Sequence, residues 1–182
     1  MDTPEKGIHQ SRLDDAYCVV IVPSLKKLAL GFGGKYGRGF AICRRTNRAG
    51  WGAPAAVRVE GGSFGFQIGG SETDVVMLVM SAGGMRHLLA SKFTLGGNAG
   101  VAAGPIGREA SAKTDAKMGA KILTYSRSRG VFAGISLSGA TLRNDLDANK
   151  ELYGRNLHNK QILMQTIKPP AAADGLIKEL NR

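Results

Sequence analysis

At 182 residues, 43% of them hydrophobic, the chain is long enough to bury one core and too apolar to stay disordered. Glycine stands out with 26 residues, about twice the usual share, but without the three-residue period of a collagen. The net charge of +11 points to an anionic partner, whether nucleic acid, a phospholipid surface or an acidic protein.

Residues 1–15 are polar, punctuated by Pro4 and Gly7, with a short helix expected around 11–16. Residues 17–22 (YCVVIV) read as a buried strand stopped by Pro23. The stretch 28–45 reads as two strands joined through a glycine-rich bend, and 50–60 as another strand. In the latter, Val57 and Val59 face inward and Arg58 and Glu60 outward. Residues 61–80 read as a hairpin-like unit at the centre of the sheet. Phe64, Phe66 and Ile68 alternate with Gly65 and Gln67, Gly69-Gly70-Ser71 break the run, and Val75 to Met80 are continuously apolar, as in a strand covered on both faces.

Farther along, 81–91 is a short helix with Met85, Leu88 and Leu89 at helical spacing. Residues 93–107 are nearly all small and read as a strand packed closely against another backbone. Further strands are expected within 113–126, centred on 120–125, and over 131–142. Asn144 or Asp145 caps a helix running to about Tyr153, with Gly154 as its stop. Residues 161–167 are short and apolar. Pro169-Pro170 then set off a last amphipathic segment, 174–180. The expected organisation is one domain over 1–168, with its core at about 5–154, and a tail over 169–182. Cys18 and Cys43 lie in apolar runs without CxxC spacing, so they are buried thiols or a pair that neighbouring strands bring together. No apolar run approaches the ~20 residues that span a bilayer. No signal-peptide pattern is present either, so an export leader upstream of Met1 would have been removed.

The segment GFGGKYGRG at 31–39 invites a phosphate-loop reading and does not fit one. Ala29 stands where a Walker motif needs glycine, Tyr36 follows Lys35, and Tyr36 also occupies the last glycine's place of a GxGxxG fingerprint. A β-bend is expected, with Lys35 and Arg38 left for looser anion contacts. His9, His87 and His158 are scattered without metal spacing, and there is no GxSxG or HExxH. Asp145 and Asp147 lack the rest of a calcium loop. A hydrolase would need Asp74 or Asp115 beside a histidine in a cleft. No catalytic residue, metal ligand or cofactor is assigned.

Charge distribution says more. Between Asp15 and Glu60 there is no acid, while Lys26, Lys27, Lys35, Arg38, Arg44, Arg45, Arg48 and Arg58 fall in that stretch. A second basic cluster holds Lys113, Lys117, Lys121, Arg127 and Arg129, interrupted only by Asp115. Arg127 and Arg129 share one side of an extended strand and present a forked pair to phosphate. Single-strand binders interleave aromatics with such charges, yet aromatics are 6% here and only Tyr36 and Trp51 lie near the basic region. Without an RRM, KH or zinc-finger pattern, nucleic acid is set aside in favour of membrane phosphate.

Several ordered motifs carry a family resemblance: AYCVVIVP at 16–23, GFGGKYGRG at 31–39, WGAP at 51–54, GGSFGFQIGGSETDVVML at 61–78, SKFTLGGNAGVAAGPIGR at 91–108 and YSRSRGVFAGISLSGATLRND at 125–145. Over residues 5–154 the chain resembles the SYLF domain, the Ysc-type actin-regulator domain. The resemblance implies a lipid-binding module rather than an enzyme. Family members bind anionic phospholipids, some fungal members bind and bundle actin, and eukaryotic members often append a Src-homology 3 or FYVE module. The family's amphipathic helix before the PEKGI-like segment would lie upstream of Met1. The standalone form looks like the bacterial branch, which places the protein at a membrane periphery, on the envelope side if a leader was removed and otherwise in the cytoplasm.

Together these readings predict a β-rich α+β domain, a twisted antiparallel sheet or partly closed barrel with a few peripheral helices. They predict an anionic phospholipid membrane as partner, held by Lys26, Lys27, Lys35, Arg38, Arg44 and Arg45 on one surface and Arg127 and Arg129 on a second. The alternative is a scaffold that docks an acidic protein.

Overall fold

The structure, a computed structural model, describes residues 7–47, 49–95, 100–104, 121–128, 131–135, 137 and 139–182, with backbone alone at 29–31, 63–68 and 128. Its elements in chain order are α1 (Gln10–Asp15), β1 (Cys18–Cys43), β2 (Ala55–Val79), α2 (Ala82–Leu89), β3 (Lys92–Thr94), β4 (Val101–Ala103), β5 (Ile122–Ser128), β6 (Val131–Gly134), β7 (Thr141–Asn144), α3 (Leu146–Tyr153), α4 (Asn159–Met164), a 3₁₀ turn (Ala171–Ala173) and α5 (Asp174–Leu180). They form one sheet in the order β3-β7-β2-β5-β4, with β1 added to β2 and β6 to β5. Every pairing is antiparallel except β4 with β5, and the sheet does not close. The β-rich α+β expectation holds.

Two long strands shape the molecule. β1 pairs antiparallel with β2 from Cys18↔Val79 to Ala41↔Ala55, through register shifts at Val22/Leu25 and Leu30/Phe32. A straight strand of 26 residues would span roughly 85 Å. The Cα atoms of Cys18 and Cys43, at its two ends, lie 4.0 Å apart and the residues are joined by a disulfide. The ribbon therefore arches back on itself. Its first half (18–30) pairs with 68–79, its second half (32–41) with 55–64. β7 then adds to Val57–Glu60 and β5 to Asp74–Val79 on the far edge of β2.

This arch corrects three sequence readings. Pro23 does not stop the strand. It sits with Ser24 in a bulge opposite Asp74, where a residue lacking an N–H breaks no ladder bond, and the Ser24 N–H donates to Asp74 Oδ1 at 3.1 Å. The stretch 28–45 is not two strands about a bend, since residues 28–43 belong to one continuous strand, and Gly69–Ser71 form no turn, because β2 runs through them. Glycines that read as punctuation serve here as close contacts. A Cβ on Gly37 would lie 2.7 Å from Val22 Cγ1, and one on Gly39 would overlap the Ile21 carbonyl oxygen and stand 2.8 Å from Val22 Cα. The facing proposed for Phe64, Phe66 and Ile68 lies outside the described side chains.

The apolar run YCVVIV is continuous because β1 is buried on both faces. Val20, Val22 and Leu25 point into the arch with Val57, Val59, Val75, Met77 and Leu142, while Val19 packs with Ile42, Leu78, Leu123, Tyr125 and Trp51 beneath α1 and α5. The disulfide lies in the first of these clusters. Across a 25-residue separation it is expected to add about 3 kcal/mol by restricting the unfolded chain. Urea unfolding with and without reductant measures this; identical midpoints would mean the arch closes without help from the bond.

The helices sit where their signals place them. Ser81 accepts from the Gly84 N–H to start α2, Asp145 from the Ala148 N–H to start α3, and Gly154 ends α3 at φ 69°. The strand expected over 131–142 is two: β6 pairs with β5, while β7 pairs with the other end of β2 at Val57–Glu60. Residues 93–107 likewise divide into β3 and β4, and β5 covers the end of the strand expected within 113–126; residues 96–99 and 105–120 lie outside the described residues. The close backbone packing expected for that small-residue run is seen where a Cβ on Gly134 of β6 would overlap the Gly104 carbonyl oxygen, while a Cβ on Gly104 itself would overlap the Tyr125 ring. The C-terminal segment is docked: Ile177 and Leu180 pack on the second core cluster and the Trp51 indole N–H donates to the Leu180 carbonyl at 2.8 Å.

Candidate functional site

The arch sorts the second half of β1 by alternation. Gly33, Lys35, Gly37, Gly39 and Ala41 fall on one face, Phe32, Gly34, Tyr36, Arg38 and Phe40 on the other. Small residues turn toward the opposing half of the arch and large ones toward water. Phe32 is 80% exposed, Tyr36 48% and Phe40 37%; Leu28, near the crest, is 67% exposed. Exposed large apolar residues gathered on one strand are informative in a way that scattered ones are not. In the sequence, the signal was the inverted alternation of glycines with aromatics.

The predicted basic residues divide among different tasks. Lys26 is exposed, with Glu72 as its cross-strand partner. Lys27 and Lys35 are half-buried, and the bend brings them close: burial, and then the charge of Lys27, lower the Lys35 ammonium below the ordinary lysine range. Arg38 lies on the outward face but is committed, its Nε 2.6 Å from Asp145 Oδ2. Burial pushes the Asp145 carboxyl up, yet the Arg38 hydrogen bond, the Ala148 N–H and neighbouring arginine charges outweigh it and hold it below the usual carboxylate range. Arg44 is a strut. Its guanidinium lies 4.4 Å from the Trp51 ring centroid and donates to the carbonyls of Ala16 and Leu13, both at 3.2 Å. Arg45 is exposed.

Arg127 stands on β5 opposite Asp74, 5.5 Å from the Phe132 ring centroid, two strands away from Lys26 with Glu72 and Asp74 between them. Arg129 lies outside the described residues, as do Arg48, Lys113, Lys117 and Asp115. The structure thus groups Lys26, Lys27 and Lys35 with Leu28, Phe32 and Tyr36 around the arch, and leaves Arg44 and Arg127 apart. Trp51 is buried and offers nothing to a base.

Asp74 is exposed and accepts the Ser24 N–H, and no group of three or more His, Cys, Asp or Glu among the described residues is placed to hold a metal ion. No helix among the described residues is long and apolar enough to cross a membrane. A cavity of about 630 Å³ opens beside α4, lined by Tyr17, Arg45, Met85, Leu163, Met164 and Ile167 among others.

Residues 60–182 match the family described as Las17-binding protein actin regulator, Ysc84. The chain belongs to the Ysc84 family. Among its relatives, it is 39% identical over 180 residues to an SH3 domain-containing protein of Schizosaccharomyces pombe, covering 97% of this chain and 41% of that protein. It is 38% identical over 154 residues to protein YSC84 of Saccharomyces cerevisiae, covering 82% of this chain and 32% of the relative. It is 32% identical over 146 residues to the human SH3 domain-containing YSC84-like protein 1, covering 80% and 42%. The chain therefore spans less than half the length of the curated relatives it matches. The SYLF resemblance and the Ysc84 match describe the same family, one whose description concerns actin regulation and binding to a protein.

Proposed function

We propose that this Ysc84-family domain is a non-catalytic docking module that holds an acidic partner protein against the outward face of β1. The observation that carries this is the exposed row Phe32, Tyr36, Arg38 and Phe40 along the second half of β1, with Lys26 and Lys27 in its first half. Aromatic and arginine side chains on a rigid strand are what buried interface centres use, and flanking lysines attract an acidic surface from a distance. The family's description, which names a protein partner and actin regulation, agrees with this reading. Sedimentation with actin filaments, themselves acidic, tests it. The domain should pellet with them at low salt, and Lys26→Glu/Lys27→Glu/Phe32→Ser should weaken pelleting at least about tenfold. Unchanged pelleting by that variant would remove β1 from the contact.

A second reading, anionic membrane lipid, has its own observation. Leu28 and Phe32 project near the crest of the arch with Lys26 and Lys27 beside them, the arrangement of an apolar wedge ringed by charge. Each lysine near an anionic leaflet contributes about 1 kcal/mol, so binding would be weak and salt-sensitive. Binding to phosphatidylserine vesicles, absent from phosphatidylcholine vesicles and competing with filaments, would favour lipid. The buried disulfide suits an oxidising compartment, which supports an envelope-side location.

A further inference from the structure

The register of the sheet creates a feature that no stretch of sequence contains. Arg38 on β1 is the cross-strand partner of Arg58 on β2, Arg58 of Arg143 on β7, and Arg143 of Lys92 on β3. Residues paired this way share one face, so four cations stand in a row across four strands, spanning about 15 Å at the usual strand spacing. Val57, Val59, Leu142 and Phe93, next to them in sequence, point into the core, which puts the row on the outer face.

Like charges directly opposite each other on neighbouring strands repel. The carboxylates at hand offset this only in part. Asp145 is taken by Arg38, and Glu60 is shared, 3.3 Å from Arg58 and 3.0 Å from Arg143. Lys92 has no ion-pair partner among the described residues. The Nε of Arg58 is sealed from solvent, and Glu60 Oε1 at 3.3 Å meets it as an ion pair without the alignment of a hydrogen bond. Over this end of the row lies a cavity of about 340 Å³, lined by Arg58, Lys92, Arg143, Asp147 and His158 among others. Asp147 is exposed to water on its rim, where its charge is screened.

We propose that this row and its cavity bind a phosphate monoester. The group carries close to two negative charges near neutral pH and tetrahedral oxygens that accept from forked guanidinium N–H groups, which Arg58 and Arg143 offer side by side. A single carboxylate supplies half that charge. The row shares Arg38 with the docking face, but Lys92 and Arg143 stand on β3 and β7, off β1, so neutralising those two tests the site while the aromatic row of β1 is left in place. The ester is either a free phosphorylated metabolite or a lipid headgroup, and two probes separate these sources.

Glycerol 3-phosphate, titrated into the whole chain by NMR, should shift the amides around Arg58, Lys92 and Arg143, and vesicles containing phosphatidic acid should pellet the protein. Lys92→Gln/Arg143→Gln should weaken whichever binding occurs at least about tenfold. Lys160→Gln/Lys178→Gln, an equal loss of charge on α4 and α5, should leave it unchanged, and Lys92→Arg/Arg143→Lys should restore part of it. Response to the free ester supports the site with a soluble ligand; response to the vesicles alone supports it with a lipid headgroup. Equal behaviour of the two neutralised variants in both arms overturns the proposal, as does a loss of filament pelleting in Lys92→Gln/Arg143→Gln without any effect on phosphate binding.

Discussion

Gly39→Ala is expected to prevent stable folding, although alanine is ordinarily the better residue in a strand. The added Cβ would overlap the Ile21 carbonyl oxygen and stand 2.8 Å from Val22 Cα, so backbone meets backbone and no side chain can rotate away. The two halves of β1 would have to separate where Val20, Val22 and Leu25 enter the core. A loss above about 4 kcal/mol is expected, a large share of the roughly 5–15 kcal/mol that holds a domain folded. Gly34→Ala provides the contrast, because its Cβ would meet nothing nearer than the Gly61 carbonyl at 3.9 Å. There the lower entropy of the unfolded chain should make the change neutral or stabilising by about 0.5 kcal/mol. Thermal melts of the two variants decide the matter. Similar melting temperatures would show that the arch is not closed at Gly39.

Asn149→Ala should produce the second large loss, with a different cause. The Asn149 side chain is fully buried. It accepts from the Ala56 N–H at 2.8 Å and donates to the Leu157 carbonyl at 3.0 Å and to Asn159 Oδ1 at 2.7 Å. Asn159 in turn donates to the Ala56 carbonyl at 2.9 Å. One amide thus ties α3, the turn after it and the first residue of α4 to the start of β2. Truncation strands three buried polar groups, at a cost of about 4 kcal/mol in all. Asn149→Asp should cost nearly as much, since a carboxylate cannot donate to Leu157. In a double-mutant cycle with Asn159→Ala the losses should overlap rather than add. Urea unfolding of the set measures this, and a loss below about 1 kcal/mol would show that water replaces the amide.

Much of the local structure was legible in the sequence because its causes are local. Asp145 and Gly154 bracket α3 as their cap chemistry requires, and Ser81 starts α2. The period of two in Val57–Glu60 sorted Val57 and Val59 from Arg58 and Glu60, and the apolar run from Val75 announced a strand covered on both sides. The family was readable too, since its motifs recur in order.

Only the tertiary structure decided what the glycines and charges do. Glycine serves a turn and a close backbone contact equally well, so 31–39 and 69–71 read as chain-breaking bends when they are parts of two continuous strands of an arched ribbon. The stretch without acids from 16 to 59 looked like one basic face. Once folded, Asp145 arrives from beyond β7 to hold Arg38, Glu72 stands opposite Lys26, and Arg44 turns inward over Trp51. Charge along the chain is fixed by sequence, but its neighbours in space depend on register. Neighbours in the row Arg38–Arg58–Arg143–Lys92 lie 20, 85 and 51 positions apart in the chain. Composition determined only that this protein carries a large excess of cations; the register of four strands determined where they stand together.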